Sequence, residues 1–123
     1  MSLRKTNEGQ LAGWLAFLSG ASPLVLLLCL FYIWSATRGW SGVAGCVALL
    51  LLSFAVYVGL SDIATCSRKT RMAIWSVSAA FHFGLALLVW SVVGGFSFLL
   101  ATFELIVAIF SVGGFFVARA SIA

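Results

Sequence analysis

The sequence predicts an all-α integral membrane protein of four transmembrane helices, arranged as two helical hairpins with both termini and the middle loop on the cytoplasmic side. Three observations predict it. Of 123 residues, 63% are hydrophobic and only 8% charged, where a soluble domain carries about 25% charged residues. The apolar residues fall in four runs, each long enough for the roughly 20 residues that a bilayer core requires. The positive charges sit in the polar breaks, mostly on one side. Four crossings use up the chain, so residues 1–123 read as a single transmembrane domain.

The first run is Leu11 to Ala36, with Asn7 and Gln10 as a capping pair ahead of it. As one helix it would be about 39 Å long, longer than the roughly 30 Å core. It must tilt, kink or protrude. Ser19-Gly20-Ala21-Ser22-Pro23 is the expected kink, because Pro23 lacks a backbone donor and crowds the preceding turn. Arg4 and Lys5 before the run, with Ser19-Gly20-Ala21 as a weak cleavage site, also fit a signal peptide. The run is nevertheless expected to be retained as a helix.

The other runs are Trp40 to Leu60, Met72 to Val93 and Phe96 to Ala118. Thr37-Arg38-Gly39 and Gly94-Gly95 leave room only to reverse the chain, which makes the two hairpins. Ser61 to Arg71 is longer and polar. Arg4, Lys5, Arg68, Lys69, Arg71 and Arg119 fall on one side and only Arg38 on the other. Short loops rich in Lys and Arg stay in the cytoplasm. Trp14 and Trp75 are expected at the inner interface, and Trp34, Trp40 and Trp90 at the outer one, where amphipathic indoles reside. Asp62 reads as a solvated interfacial charge. A bacterial inner membrane is the expected location.

An internal repeat is suggested at an offset of 56 residues, where Trp34, Ser35, Gly39 and Ser41 match Trp90, Ser91, Gly95 and Ser97. Leu49, Phe54 and Val56 match Leu105, Phe110 and Val112 at the same offset. Two parallel hairpin repeats would do this, and so would biased composition.

Glu104 is the most informative residue. It lies about 12 Å below the outer end of the fourth helix, where a carboxylate costs a few kcal/mol unless protonated, paired or wetted. Ser97, Ala101, Ala108 and Ser111 share its face in steps of four and three. Small residues let helices approach closely in lipid, so this face is expected to pack against protein. His82 lies about 16 Å from the outer end of the third helix, with Ser78, Ala79 and Ala86 on its face. The two residues share a depth, and a hydrogen-bonded or ionic pair is expected. Ala12, Ala16 and Gly20, and Ser41 with Gly45, form further small-residue stripes.

Several functions are disfavoured. The net charge of +4 forms no dense basic face for nucleic acid. Three cysteines lack metal or redox spacing. One histidine gives haem one ligand at most, and no loop is long enough to build an active site around a nucleophile. No metal, cofactor or catalytic residue is expected. Two readings remain: a non-catalytic subunit or assembly factor of a larger membrane complex, and a small homo-oligomeric proton- or cation-coupled transporter or channel using Glu104. The bilayer and other membrane subunits, or copies of itself, are the expected partners. Length and helix count are similar to those of the small multidrug transporters. Their embedded Glu lies in the first helix, where the run here has no acid, so the likeness extends to architecture alone.

Overall fold

Pro23 cannot donate to a helical ladder, and the first span breaks just ahead of it. The computed structural model describes residues 2–37, 40–92 and 97–120, with the side chains of 8–31, 40–63, 65–91 and 98–120. Helix α1 is Ser2–Ser19 and helix α2 is Ser22–Thr37. Gly20 N–H donates to the carbonyls of Ala16 (3.1 Å) and Phe17 (3.2 Å), and Ala21 N–H to Leu18 (3.1 Å), which tightens the end of α1. The Ala21 carbonyl then accepts from Leu24 and Val25 and opens α2. Pro23 sits in the first turn of α2, where its missing N–H removes no helical bond.

Helix α1 begins well before Leu11, so Asn7 and Gln10 lie within it instead of capping it. Helix α3 is Trp40–Ser61, and a 3-10 turn follows at Ile63–Thr65. Helix α4 is Arg68–Val92 and α5 is Ser97–Ala120. The third span therefore starts four residues ahead of Met72. Ser67 explains this: its hydroxyl accepts from Thr70 N–H at 3.4 Å and its carbonyl from Arg71 N–H at 2.8 Å, which starts the helix there. The turns at 38–39 and 93–96, expected to close the hairpins, lie outside the described residues.

Four segments are long and apolar enough to cross a membrane: Glu8–Phe31, Trp40–Ser61, Arg68–Ser91 and Phe98–Ala120. Their packing follows a 3.5-residue period. In the first span Glu8, Ala12, Leu15, Ser19, Ser22, Leu26 and Cys29 form a buried seam in steps of four and three straight across the break, with Ala16 and Val25 buried beside it. In α4 the seam is Arg71, Trp75, Ser78, His82, Leu85 and Val89, with the same steps, and Phe81 and Ala86 are buried beside it. Helix α5 buries Ala101, Glu104, Ala108, Ser111 and Ala118, and α3 buries Cys46, Ser53, Val56 and Leu60. A sustained heptad keeps one seam of each helix facing its neighbours. Helix α4 packs most extensively on α5, α2 on α3, and α1 on both α3 and α5.

Polarity runs opposite to that of a soluble protein. Glu8, Arg71, His82, Glu104 and five serines are buried, while Phe17, Leu24, Phe31, Leu51, Leu99 and Ile109 are among many large apolar side chains turned outward. A contiguous apolar exterior of this extent fits lipid contact and not water. This is the arrangement of an integral membrane protein with four candidate transmembrane helices.

Gly114 sits where α5 meets Trp75 of α4. A Cβ there would come within 2.5 Å of three atoms of the indole ring. Trp75 is fully buried, so the ring has little freedom to yield. Gly114→Ala is expected to cost about 1–3 kcal/mol by overpacking, outweighing the roughly 1 kcal/mol that alanine gains in helix propensity. Gly113, with open space around its Cβ position, is the control: Gly113→Ala should raise the melting temperature in detergent or leave it unchanged. Equal melting temperatures for the two variants would show that the indole does not require the glycine.

Burial also bears on the repeat. At the offset of 56, the buried Leu15, Ser19, Ser22, Leu26 and Cys29 correspond to the buried Arg71, Trp75, Ser78, His82 and Leu85. The second helices lose phase, since buried Val56 meets exposed Val112 and buried Glu104 meets exposed Ala48. The offset describes α1–α2 against α4, and not α3 against α5.

Candidate functional site

The break in the first span delivers two hydroxyls to the middle of the bundle. Ser19 ends α1 and Ser22 begins α2, three residues apart and on one buried face. His82 of α4 and Glu104 of α5 meet them there. His82 Nδ1 and Glu104 Oε2 are 2.5 Å apart. Ser19 Oγ shares a hydrogen bond of 2.9 Å with His82 Nε2. The Ser22 hydroxyl donates to Glu104 Oε1 at 3.1 Å and more weakly to Oε2 at 3.5 Å. His82 and Glu104 are both 0% exposed.

Backbone electrostatics support the arrangement. The C-terminus of a helix carries partial negative charge and the N-terminus partial positive charge. The end of α1 stands beside the imidazole and the start of α2 beside the carboxylate. An unbroken helix would present neither pole at this depth. The break therefore does more than shorten an overlong span: it aims opposite poles at the two members of the pair.

One turn along the seam, Ser78 and Ser111 bond each other at 2.8 Å, and the Ser111 hydroxyl donates to the Val107 carbonyl at 2.9 Å. Ala101 and Ala108 are buried on the same face. The side chain of Ser97 lies outside the described residues.

A second polar centre lies at the end of the bundle beside the α3–α4 connection. Arg71 Nε is 2.7 Å from Glu8 Oε1. Arg71 Nη1 donates to the Cys66 carbonyl at 2.9 Å, and the Trp75 indole N–H donates to Glu8 Oε1 at 3.4 Å. Arg71 and Glu8 are each 1% exposed. This corrects two expectations. Arg71 is not a solvated loop charge, and Trp75 is not an interfacial anchor: Glu8 draws both inward, because a buried carboxylate needs donors. Trp14, Trp40, Trp90 and Asp62 are exposed on the outside of the bundle. The side chain of Trp34 lies outside those described.

Sequence alone pairs His82 with Glu104 and assigns Glu8, Ser19 and Ser22 no part in the site. Their signal was the heptad Glu8, Ala12, Leu15, Ser19, Ser22, Leu26. The stripe of Ala12, Ala16 and Gly20 instead follows the straight four-residue step, which drifts off the seam: Gly20 is exposed. Every fully enclosed side-chain nitrogen and oxygen among the described residues has a hydrogen-bond partner.

Fold and site define a class: a four-span membrane bundle with a buried acid–imidazole–hydroxyl centre. No protein family, curated protein or solved structure matches the chain.

Proposed function

We propose that this chain is a small non-catalytic membrane subunit or assembly factor, working within a larger complex. One observation carries the reading: the ionisable side chains inside the bundle are spent on one another. Glu104, His82 and the two serines form a clamp that ties the first span to α4 and α5, and Glu8 with Arg71 ties α1 to α4 again. Such networks fix helix register within a membrane. What faces outward from the spans is overwhelmingly apolar. Among the described residues helix α3 contributes no side chain to either clamp, and it is the least buried span; its exposed Ser41, Ala44, Gly45 and Ala48 suit close approach of a neighbouring subunit's helix.

Two hairpins with cytoplasmic termini complete the reading. With Arg71 neutralised by Glu8, Arg4, Lys5, Arg68, Lys69 and Arg119 still outnumber Arg38. A bacterial inner membrane is the proposed location.

A second reading, a homo-oligomeric proton- or cation-coupled transporter or channel, is favoured by the helix break at the buried pair. Broken helices at mid-membrane often mark transport sites. Purification in mild detergent separates the two. Larger subunits in stoichiometric amounts support the first. A discrete homo-oligomer whose proton or cation flux in vesicles is lost in Glu104→Gln supports the second. A partner complex that assembles normally without this chain would overturn the assembly role.

A further inference from the structure

The break in the first span also leaves a gap in the bilayer-facing surface. Gly20 has no side chain, and Pro23 lies in the first turn of α2 beside it. The resulting groove, of about 440 Å³, runs between the break and α3 and is lined by Ser19, Gly20, Pro23, Ser53, Phe54 and Tyr57. That volume lies in the range of small-molecule sites. Its walls are apolar, and Phe54 and Tyr57 are exposed at its rim.

Two hydroxyls give it chemistry. Ser53 is 2% exposed, and among the described residues its hydroxyl makes no hydrogen bond and lines the groove. A serine so placed costs stability unless something bonds it. Ser19 is the other, and His82 sets its polarity. A His82–Glu104 pair without net charge carries a proton on Nε2, whichever side of the short Nδ1–Oε2 bond the shared proton occupies. That N–H donates to Ser19 Oγ and leaves the serine O–H to donate elsewhere. Net charge in hydrocarbon is costly, and a net-neutral pair avoids that cost. The groove thus offers O–H donors from Ser19 and Ser53, between apolar walls, level with the middle of the Glu8–Phe31 span.

We infer that this groove is a binding site for a lipophilic carbonyl compound, which enters sideways from the bilayer and accepts hydrogen bonds from Ser53 and Ser19. A carbonyl oxygen has two lone pairs and no proton to place. Membrane lipids carry their ester groups near the interface, so they do not meet this need at mid-membrane.

The test uses the full chain in phosphatidylcholine–phosphatidylglycerol vesicles and two photoactivatable alkyl diazirines, identical except that one bears a mid-chain ketone. Labelled positions are mapped by mass spectrometry. The ketone probe should label the Gly20–Pro23 and Phe54–Tyr57 segments about three- to ten-fold more than the hydrocarbon probe, the range that one or two hydrogen bonds support. Ser53→Ala, which removes no bond within the fold, should abolish that preference while leaving hydrocarbon labelling unchanged. Equal labelling by the two probes in the unsubstituted chain would mean that the groove holds only acyl chains, and the inference fails. A ketone preference that survives Ser53→Ala equally overturns it.

Discussion

Glu8→Ala is expected to destabilise the bundle by about 3–5 kcal/mol, the usual consequence of removing one partner from a buried ion pair. The reason lies in what is left behind. Arg71 is 1% exposed and holds the Glu8 carboxylate at 2.7 Å. A guanidinium cannot discharge by losing a proton, so without Glu8 it stays charged and buried, its bond to the neutral Cys66 carbonyl no substitute for a carboxylate. The Trp75 indole N–H loses its acceptor in the same step. Replacing both charged partners, as in Glu8→Leu with Arg71→Met, should recover most of the loss, because matched apolar side chains need no partner. Unfolding in mixed dodecyl sulfate micelles measures both. A single variant within about 1 kcal/mol of the parent would show that Arg71 finds the headgroup region by itself.

Glu104→Leu should be nearly as costly, by about 2–4 kcal/mol, since it strips His82 Nδ1 and the Ser22 hydroxyl of their partner in a site with no exposure. Histidine can shed its charge, which is why the loss falls below that of Glu8→Ala. Glu104→Gln keeps an acceptor and should cost about half as much. Nitrogen NMR of His82 gives an independent readout. The Nδ1 resonance should move in Glu104→Gln, and the Nε2 resonance in Ser19→Ala. If Glu104→Gln leaves His82 unmoved, the pair is not what holds this layer.

The part of the fold that was legible in the sequence came from one-dimensional signals. Apolar run length gave four spans, and Pro23 after Ser19-Gly20-Ala21 gave the break. His82 and Glu104 stood out because an ionisable group among Leu, Phe and Val is rare, and equal depth on neighbouring helices was enough to pair them. Glu8 escaped notice because it precedes the apolar run, where an acid looks like ordinary polar flank. Arg71 escaped for the mirror reason: beside Arg68 and Lys69 it reads as one more loop charge.

The sequence by itself determined the class of protein, the number of candidate spans, the place of the break and the identity of the central pair. These depend on local composition, on backbone chemistry at proline, and on the high cost of ionisable groups in hydrocarbon. Only the tertiary structure decided that the break feeds Ser19 to the imidazole and Ser22 to the carboxylate. It alone decided that Arg71 turns inward to Glu8, 63 residues away, and that Trp75 lies flat on Gly114. The physical reason is the same in each case. A hydrogen bond or close packing contact between distant residues depends on helix rotation to within a fraction of a turn, and that rotation is set by all the helices together.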